Sequence, residues 1–447
     1  MRVHIISIGG RIMHSLALLL KADGHEVSGS DDEIYEPSRS KLKLAGLLPD
    51  KIGWDRARIS DEVDFVLLGM HAKKDNPELQ HALELGLEVL SYPEFIYRMS
   101  KEKQRIVVAG SHGKTTTVAM IMHVLNYRDF DFDYLIGAEL DGFDEMIRLS
   151  NAPLIVIEGD EYLSSCIDSR PKMIHYQPDL SVITGIAWDH INVFESEKEY
   201  DDLFENFIQS HSRQSKIFSY KDDFKLEKLA NQFSEVRNIK FYEALPKLEN
   251  GNISYDNKQY RIKVFGHHNR ANMMAALKVC QELGITSADF FAAISTFRGA
   301  SKRMELLIEG NDSIVYRDFA HAPSKVSATL QALKEHYKSK KLIAILELHT
   351  YSSLNHKFLP KYKNTMDDAH EAYVYYSEHT LKVKNLKPLT KNEVENAFAH
   401  EGLQVLNNKE EFSAVLTELE LSNSVVVLMS SGNFDKINVK GILIQQL

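Results

Sequence analysis

Continuous apolar runs alternate with segments of helical spacing over the first hundred residues. The run 3–8 stops at Gly9-Gly10, as a buried strand of a parallel sheet does. The same pattern then predicts a helix over 14–24, strands over 25–31 and 64–70, and a helix over 76–86. This βαβ rhythm predicts a Rossmann-like domain over residues 1–98.

A second alternation begins with a strand, a glycine loop and a helix over 104–125. It continues with strands over 152–160 and 179–186, helices over 198–210 and 269–284, and a hairpin around 249–252. A third series of strands and helices opens near 297–303. We therefore predict an α/β protein of three α/β domains, which cover 1–98, 99–297 and 298–447.

The composition of the chain narrows the class of protein. The 447 residues are 44% hydrophobic and 26% charged, which is ordinary for a globular protein. The formal net charge of −10 gives no support to nucleic acid or an anionic membrane as the main partner. The two cysteines, Cys166 and Cys280, exclude a disulfide framework and a four-cysteine zinc site, and they fit a reducing compartment.

The N-terminal segment MRVHIISIGG lacks the apolar region and the cleavage site of a signal peptide. No apolar run reaches the length of about 18 residues that a membrane span needs. We therefore expect no membrane span, and a cytoplasmic enzyme or binding protein.

The segment VVAGSHGKTTT places a glycine loop between a predicted strand and a predicted helix. Backbone N–H groups of such a loop face an anion, and glycine lets a phosphate approach closely. In loops of this kind a lysine reaches the β- and γ-phosphates, and a Ser or Thr hydroxyl ligates Mg²⁺. With Ala109 in the place of the first glycine, the loop is one residue shorter than the usual GxxxxGK[ST] pattern. We predict a nucleotide site formed by Gly110, Ser111, His112, Gly113, Lys114, Thr115 and Thr116.

The turn after the first strand carries a weaker signal. Gly9 and Gly10 have no third glycine at the spacing of a dinucleotide-binding loop, although Asp31 lies at a distance suited to a ribose hydroxyl. These residues alone leave a nicotinamide enzyme and a plain Rossmann turn open. Two nucleotide-type domains in one chain suggest two different nucleotides. One would be hydrolysed in the reaction, and the other would be the nucleotide part of the substrate by which the protein binds it.

Six segments, in the same order, resemble the motifs of the Mur ligase family, the ATP-dependent enzymes that build the peptidoglycan stem peptide. They are GSHGKTTT (110–117), EGDEY (158–162), WDH (188–190), HHNRAN (267–272), RGASKRME (298–305) and RDFAHAP (317–323). The N-terminal IGG and HEVSGSD also resemble the members that use UDP-N-acetylmuramate itself as substrate. The resemblance covers essentially the whole chain. It implies a Rossmann-like UDP-binding first domain, a central P-loop ATPase-type domain and a C-terminal Rossmann-like ligase domain.

The resemblance also implies ATP and Mg²⁺ as cofactors and a role for each matched residue. Lys114, His190 and Arg303 are expected to be catalytic. The metal is expected on Thr115, Glu158 and His190. Further contacts are expected to ATP from Asn269, Asn272, Arg303 and Asp318, and to the UDP-sugar from Gly9, Gly10 and Asp31. Some relatives add a carbamylated lysine on the next helix, and Glu205 stands near that place here.

The acceptor site is where the sequence departs from the family. Relatives often carry an arginine in the segment that reads HTYSSLNHKF here, to hold the acceptor's carboxylate. The candidates in this chain are His321, His349, Tyr351, Ser352 and Lys357. The implied reaction joins the lactyl carboxylate of UDP-N-acetylmuramate to an amine through an acyl phosphate. The segments EGDEYLSSCIDSRPKMIHYQPD, KRMEL and VLMSSGNFDKI resemble members that attach L-alanyl-γ-D-glutamyl-meso-diaminopimelate, so we expect this peptide as the acceptor, with L-alanine as the alternative.

Functions of other classes compete with a ligase. A nicotinamide-dependent oxidoreductase built on the first domain leaves the phosphate loop and HHNRAN unexplained. A non-catalytic nucleotide-binding protein has no need to combine Lys114, Glu158, His190, Asn272 and Arg303. Folylpolyglutamate synthase shares the family's ATP core, but its N-terminal domain lacks the UDP-type start seen in this chain.

Overall fold

The computed structural model describes residues 1–188, 193–194, 196–249, 251–301, 303–310 and 312–446. The chain forms two compact units. The first contains Met1–Ile186, Asp201–Glu243 and Ala275–Thr286, and the second contains Ala187–Tyr200, Ala244–Met274 and Ser287–Leu447. The predicted α/β class is confirmed, because the large sheets of both units are mainly parallel and helices alternate with their strands. The three domain boundaries given above stay predictions.

The first unit begins with a small parallel sheet. Its strands are β1 (Arg2–Ile6), β2 (Glu26–Ser30), β3 (Phe65–Leu68) and β4 (Glu88–Ser91), and its helices are α1 (Arg11–Ala22), α2 (Ser38–Leu44), α3 (Pro77–Glu84) and α4 (Tyr92–Ser100). The order is β2-β1-β3-β4, and all neighbours are parallel. The central strands β1 and β3 are almost wholly buried, which explains their continuous apolar sequences.

The first strand ends two residues earlier than the sequence predicts. Ser7 adopts a left-handed backbone with φ of 67°. A β-strand cannot continue through such a residue, because its side chain and carbonyl would leave the pleat. The chain therefore turns at Ser7, and α1 begins at Arg11, three residues before the predicted start.

The first unit continues with a larger sheet that carries the glycine loop. Its elements are β5 (Gln104–Ala109), α5 (Lys114–Tyr127), β6 (Asp133–Leu135), β7 (Ile147–Arg148), β8 (Leu154–Glu158), the hairpin β9 (Leu163–Ser165) and β10 (Asp168–Pro171), α6 (Lys172–His175), β11 (Leu180–Ile183), α7 (Glu197–Ser210), β12 (Lys216–Tyr220), α8 (Phe224–Phe233) and β13 (Asn238–Tyr242). The strand order is β13-β12-β11-β5-β8-β6-β7, in which β7 is antiparallel to β6. Because β11, β5 and β8 are parallel neighbours, the residues that follow them meet at one edge of the sheet. The hairpin β9–β10 was absent from the sequence prediction.

The second unit is built on a six-stranded sheet. Its elements are β14 (Asn252–Tyr255), β15 (Lys258–Arg261), α9 (His267–Glu282), α10 (Ser287–Ile294), β16 (Glu305–Glu309), β17 (Ile314–Asp318), α11 (Pro323–His336), β18 (Lys341–Leu348), β19 (Glu371–Tyr376), α12 (Glu378–Val383), α13 (Lys391–Phe398), β20 (Gln404–Leu406), α14 (Lys409–Glu418), β21 (Ser424–Met429) and α15 (Val439–Ile444). From Ala275 onwards α9 belongs to the first unit, and the residues of α7 up to Tyr200 belong to the second. The order is β16-β17-β21-β18-β19-β20, and β16 is antiparallel to β17. Alternate residues of β18 enter different cores, Leu342 and Ala344 on one face and Ile343 and Ile345 on the other.

The predicted hairpin around 249–252 forms as a single bridge, and a longer hairpin follows it directly. An antiparallel bridge joins Glu249 and Asn252, where the sequence predicts the hairpin, and strands β14 and β15 then pair through a two-residue turn at Asp256-Asn257. Both turn residues have positive φ, 49° and 60°, as this type of hairpin turn requires. Among the described residues, no helix combines the length and apolarity needed to cross a bilayer.

Candidate active site

The glycine loop follows β5 and ends at the N-terminus of α5. Gly110 and Gly113 have φ of 129° and 79°, conformations that side-chain-bearing residues rarely adopt. A Cβ on Gly110 would also lie 2.3 Å from Thr184 Oγ1. The Ser111 N–H donates to Gly185 O at 2.9 Å, and the Thr184 hydroxyl donates to the backbone carbonyl of His112. The loop after β11 therefore holds the glycine loop in shape, and Gly110 is required for that close approach.

The Lys114 side chain is 12% exposed at the start of α5, where its ammonium makes two hydrogen bonds. Nζ donates to Gly110 O at 2.5 Å and to Glu161 Oε2 at 2.7 Å, and the Glu161 side chain is fully buried. Burial alone would lower the pKa of Lys114, but the carboxylates of Glu161, Asp160 and Glu158 outweigh it and raise the pKa. Lys114 is therefore a fixed cation at the mouth of the loop.

Thr115 and Glu158 form a pair of oxygen donors beside Lys114. The Thr115 hydroxyl donates to Glu158 Oε1 at 2.7 Å, and the Gly137 N–H donates to Glu158 Oε2 at 2.8 Å. Thr115 and the adjacent Thr116 are buried in the first turn of α5. A hydroxyl and a carboxylate in contact fit a hard divalent cation such as Mg²⁺, which prefers oxygen ligands. His190, the third predicted metal ligand, lies outside the described residues.

A cavity of about 580 Å³ in the first unit is lined both by Glu158 and by residues that follow strands of the small sheet. Gly9 and Gly10 line it after β1, and Glu158 and Lys172 line it from β8 and α6. Gly10 directly precedes α1, so backbone N–H groups of that helix end are available beside the cavity. The predicted UDP-sugar residues and Glu158, one of the predicted metal ligands, therefore line one cavity.

Asp31 lies in this cavity and is tied to the glycine turn. Its Oδ2 accepts a hydrogen bond from the Gly9 N–H at 2.8 Å. A Cβ on Gly9 would lie 2.9 Å from the same oxygen and 3.2 Å from Glu33 O, so a side chain there would displace the Asp31 carboxylate. Burial is the largest influence on this carboxyl and raises its pKa to about 6. A contact between Asp31 and a ribose stays a prediction.

The other predicted ATP contacts lie in the second unit. Asn269 and Asn272 are buried on α9, and Asn269 Nδ2 donates to Phe265 O at 2.8 Å. Asp318 ends β17 and accepts a hydrogen bond from the Thr329 hydroxyl at 2.7 Å. Arg303 places its guanidinium carbon 4.2 Å from the centroid of the Phe319 ring. These side chains are held in place within their unit, and their contact with ATP stays a prediction.

The predicted acceptor residues are spread over the second unit. His321 is buried, with Nδ1 2.7 Å from Phe319 O. Lys384 Nζ lies 4.3 Å from the centroid of the half-exposed Tyr351 ring. Ser352 is buried in the following turn, and Lys357 is exposed.

His349 lies beside a buried carboxylate that the sequence analysis missed. Its Nδ1 is 3.7 Å from Glu347 Oε1. The Phe434 N–H donates to Glu347 Oε2 at 2.9 Å, and the Ser430 hydroxyl donates to the same oxygen. A glutamate within the apolar run KKLIAILEL was the available signal, because a carboxylate in a buried strand needs partners.

Two further residues near the glycine loop were missed. Glu161 was visible in EGDEY, where only Glu158 received a role, and Lys172 follows the unpredicted hairpin β9–β10. Lys172 Nζ donates to Asp160 Oδ2 at 2.6 Å. Glu205, considered as a substitute for a carbamylated lysine, accepts a hydrogen bond from Gln209 at 3.1 Å, and its role stays a prediction.

Three parts of the chain match described protein domains. Residues 108–280 match the Mur ligase middle domain, residues 2–104 the catalytic domain of the Mur ligase family, and residues 302–432 the Mur ligase glutamate ligase domain. The matches occur in the order of the three sheets.

Individual relatives fall into two acceptor classes. The chain is 28% identical over 360 residues to the UDP-N-acetylmuramate–L-alanyl-γ-D-glutamyl-meso-2,6-diaminoheptandioate ligase of Escherichia coli (strain K12), which covers 78% of this chain and 79% of that protein. It is 31% identical over 381 residues to the UDP-N-acetylmuramate–L-alanine ligase of Carboxydothermus hydrogenoformans, which covers 82% of this chain and 80% of that protein. In structure it is similar to a murein peptide ligase of Psychrobacter arcticus 273-4, with a TM-score of 0.67 and 25% identity over 100% of this chain and 98% of that one.

Proposed function

The chain belongs to the Mur ligase family of ATP-dependent, ADP-forming ligases, and we propose that it joins the carboxylate of UDP-N-acetylmuramate to the amine of L-alanyl-γ-D-glutamyl-meso-diaminopimelate. Relatives of both acceptor classes carry UDP-N-acetylmuramate in their names, which supports this nucleotide as the first substrate. The proposal includes a cytoplasmic location, which suits the two free thiols, Cys166 and Cys280.

The cavity of the first unit is the observation that carries the proposal. It joins the glycine turn at Gly9-Gly10 with Glu158, which contacts Thr115 of the phosphate loop. A sugar nucleotide with its diphosphate at the turn would extend its carboxylate towards the phosphate loop. An oxidoreductase would have no use for a phosphate loop at that place.

The proposed reaction has two steps that balance. A carboxylate oxygen of UDP-N-acetylmuramate attacks the γ-phosphorus of ATP, the bond from that phosphorus to the β–γ bridging oxygen breaks, and ADP leaves. The acceptor amine then attacks the acyl carbon, loses a proton and expels inorganic phosphate, which carries the former carboxylate oxygen. The product is an amide, and the free energy comes from the cleaved phosphoanhydride.

Two anions must meet in the first step, so positive charge has to be supplied. Lys114 would exchange its bonds to Glu161 and Gly110 O for the phosphates of ATP, and Arg303 is the second proposed cation. Thr115 and Glu158 fit a Mg²⁺ ion, which when bound would neutralise phosphate charge. Mg²⁺ at this pair is part of the proposal.

The choice of a peptide acceptor is supported by the cations available in the C-terminal part of the chain. Arg317 is the last arginine in the sequence. A planar guanidinium clamps a small carboxylate with two parallel hydrogen bonds, whereas an ammonium acts as a point charge. Lysines such as Lys357 and Lys384 suit an acceptor whose binding is spread over several polar groups.

An ADP-release assay tests the proposal. Purified protein with ATP, Mg²⁺ and UDP-N-acetylmuramate is given either the tripeptide or L-alanine. We expect ADP release that requires both the sugar nucleotide and an amine, with kcat/KM at least tenfold higher for the tripeptide, about 1.4 kcal/mol in transition-state binding. A tenfold preference for L-alanine would show that the acceptor is the amino acid and not the peptide. ADP release without UDP-N-acetylmuramate would contradict the proposed ligase activity itself.

A further inference from the structure

Lys172 is a buried cation in the cavity that the proposed function assigns to the sugar nucleotide. It is the first residue of the short helix α6, directly after the hairpin β9–β10. The side chain is 6% exposed, and it lines the cavity together with Glu158 and with Asp160, to which it is hydrogen-bonded. A buried lysine needs an anionic or hydrogen-bonding partner, so its contacts indicate which kind of ligand group it can bind.

The ammonium has one anionic partner and two aromatic neighbours. Asp160 Oδ2 accepts a hydrogen bond from Nζ at 2.6 Å, and the Asp160 side chain is 33% exposed. Nζ lies 5.3 Å from the ring centroid of Tyr92 and 5.6 Å from that of Tyr162. These rings hold the ammonium by cation–π attraction while contributing no formal charge. An ammonium has three N–H donors, and Asp160 accepts one of them.

The charges around the cavity are predominantly negative. The carboxylates among its lining residues are Asp31, Asp32, Glu33, Glu158 and Asp160, and the lysine and arginine among them are Lys172 and Arg11. The Arg11 side chain is 55% exposed and lies 3.7 Å from Glu139. An anionic substrate therefore meets one well-buried cation in this lining, and it is Lys172.

The position of Lys172 selects which anionic part of the substrate it meets. A UDP-sugar carrying a lactyl group has a diphosphate and a carboxylate. The diphosphate suits the Gly9-Gly10 turn, where α1 presents its N-terminus. Lys172 contacts Asp160, two residues after Glu158, and Glu158 contacts Thr115 of the phosphate loop, where the carboxylate must react.

We propose that Lys172 positions the substrate carboxylate for attack on ATP, by holding it through a charge-assisted hydrogen bond while Asp160 orients the ammonium. This inference rests on the proposed function, because it takes UDP-N-acetylmuramate as the ligand of the cavity. It makes Lys172 a specificity-determining residue for the carboxylate-bearing sugar nucleotide. The hairpin β9–β10 and the short helix that follows it then have a function, which is to bring this lysine into the cavity.

A cycle that combines two ligands, the acid and its carboxamide, with the wild-type protein and a Lys172 variant tests the proposal. Calorimetry measures the Kd of UDP-N-acetylmuramate and of its lactyl carboxamide, with Mg²⁺ and a non-hydrolysable ATP analogue present. For the wild-type protein we expect the carboxamide to bind about 10- to 100-fold more weakly than the acid. For Lys172→Met we expect the two Kd values to agree within about threefold, because the group that distinguishes them is gone.

Control variants separate this role from a general electrostatic one. Lys43→Met removes an exposed lysine from α2 and should keep the wild-type ratio. Lys172→Arg keeps the charge and should recover part of the ratio. Lys172→Gln, which still offers Asp160 a hydrogen-bond donor, carries the test if thermal unfolding shows that Lys172→Met does not fold.

The outcomes separate this inference from the proposed function. A ratio in Lys172→Met or Lys172→Gln equal to that of the wild type would overturn the assignment of Lys172, as would an equal weakening of both ligands. The second result would place the lysine on the diphosphate or in a purely structural ion pair. A wild-type protein that binds neither ligand would overturn the proposed function, and the lysine's role with it.

Discussion

Two glutamates organise loops at the carboxyl ends of parallel strands, one in each unit. Glu158, the last residue of β8, accepts a hydrogen bond from the Thr115 hydroxyl. Glu347, near the end of β18, accepts hydrogen bonds from the Ser430 hydroxyl and the Phe434 N–H. In both places a carboxylate ties a neighbouring loop to the sheet edge where α/β proteins bind their ligands.

The two loops differ in how they reach their backbone shape. The loop beside Glu158 uses glycines at its positive-φ positions, Gly110 and Gly113. The loop beside Glu347 places three consecutive non-glycine residues there, Phe434, Asp435 and Lys436, with φ of 49°, 51° and 65°. Such residues cost roughly 1–2 kcal/mol each relative to ordinary backbone, so surrounding bonds must hold them. The first loop can be recognised in the sequence because its positive-φ positions are glycines. The second loop cannot be recognised in this way, because its positive-φ positions carry ordinary residue types.

The largest expected effect comes from removing the cation of the first loop. Lys114→Ala should lower ATP-dependent turnover by about 10²–10³-fold, because a charge that stabilises the transferred phosphoryl group is lost. Since the buried Glu161 carboxylate would lose its ion pair with Lys114, stability should fall by about 3–5 kcal/mol. The double variant Lys114→Ala/Glu161→Gln should regain stability and stay inactive. Near-normal turnover in either variant would contradict the assignment of this loop to ATP binding.

Glycine substitutions compare backbone strain with steric overlap. Gly110→Ala combines φ of 129° with a Cβ position 2.3 Å from Thr184 Oγ1, whereas Gly142→Ala meets φ of 84° in open space. We expect a loss of about 1 kcal/mol for Gly142→Ala and about 2–4 kcal/mol for Gly110→Ala, measured by urea unfolding. Equal losses would mean that the loop relaxes around Gly110 and that its tight packing is unimportant.

Substitution of the second glutamate tests the loop of the other unit. Glu347→Gln weakens the bonds to Ser430 and Phe434 and should cost about 1–2 kcal/mol of stability. The KM of the acceptor should rise severalfold while the KM of ATP stays unchanged, because the loop lies in the region of the predicted acceptor residues. Steady-state kinetics with each substrate varied in turn checks this. A rise in the KM of ATP alone would indicate that the loop held by Glu347 contributes to the ATP site and not to the acceptor site.

The smallest expected effect concerns a third carboxyl of the same kind, Asp31 at the end of β2. Its pKa is about 6, raised from an ordinary 3.8, so the folded state binds more protons than the unfolded state between those values. The free energy of unfolding contributed by this group therefore decreases as pH rises from about 4 to 6. Asp31→Asn should remove that decrease, in urea unfolding at several pH values, whereas the exposed Asp50→Asn should not. Parallel pH profiles for Asp31→Asn and wild type would contradict the shifted pKa.

The phosphate loop and the α/β class could be predicted because their signals are local. A strand, a glycine loop and a helix follow one another in sequence, and buried parallel strands read as apolar runs. Lys172 could not be predicted in the same way, because its position depends on a hairpin without a period-2 pattern and on a cavity formed by distant segments. Glu347 depends on a loop more than eighty residues away. The early end of β1 depends on the left-handed backbone conformation of one serine, which its residue type does not predict.

The central claim is that the chain activates a carboxylate by transferring phosphate to it, and an oxygen-18 experiment tests this most directly. UDP-N-acetylmuramate labelled with oxygen-18 in its lactyl carboxylate is incubated with the protein, ATP, Mg²⁺ and the tripeptide, and the inorganic phosphate is analysed by mass spectrometry. We expect one labelled oxygen in each phosphate released with amide formation. Amide formation with unlabelled phosphate would contradict the acyl phosphate and the arrangement of the cavity on which it rests.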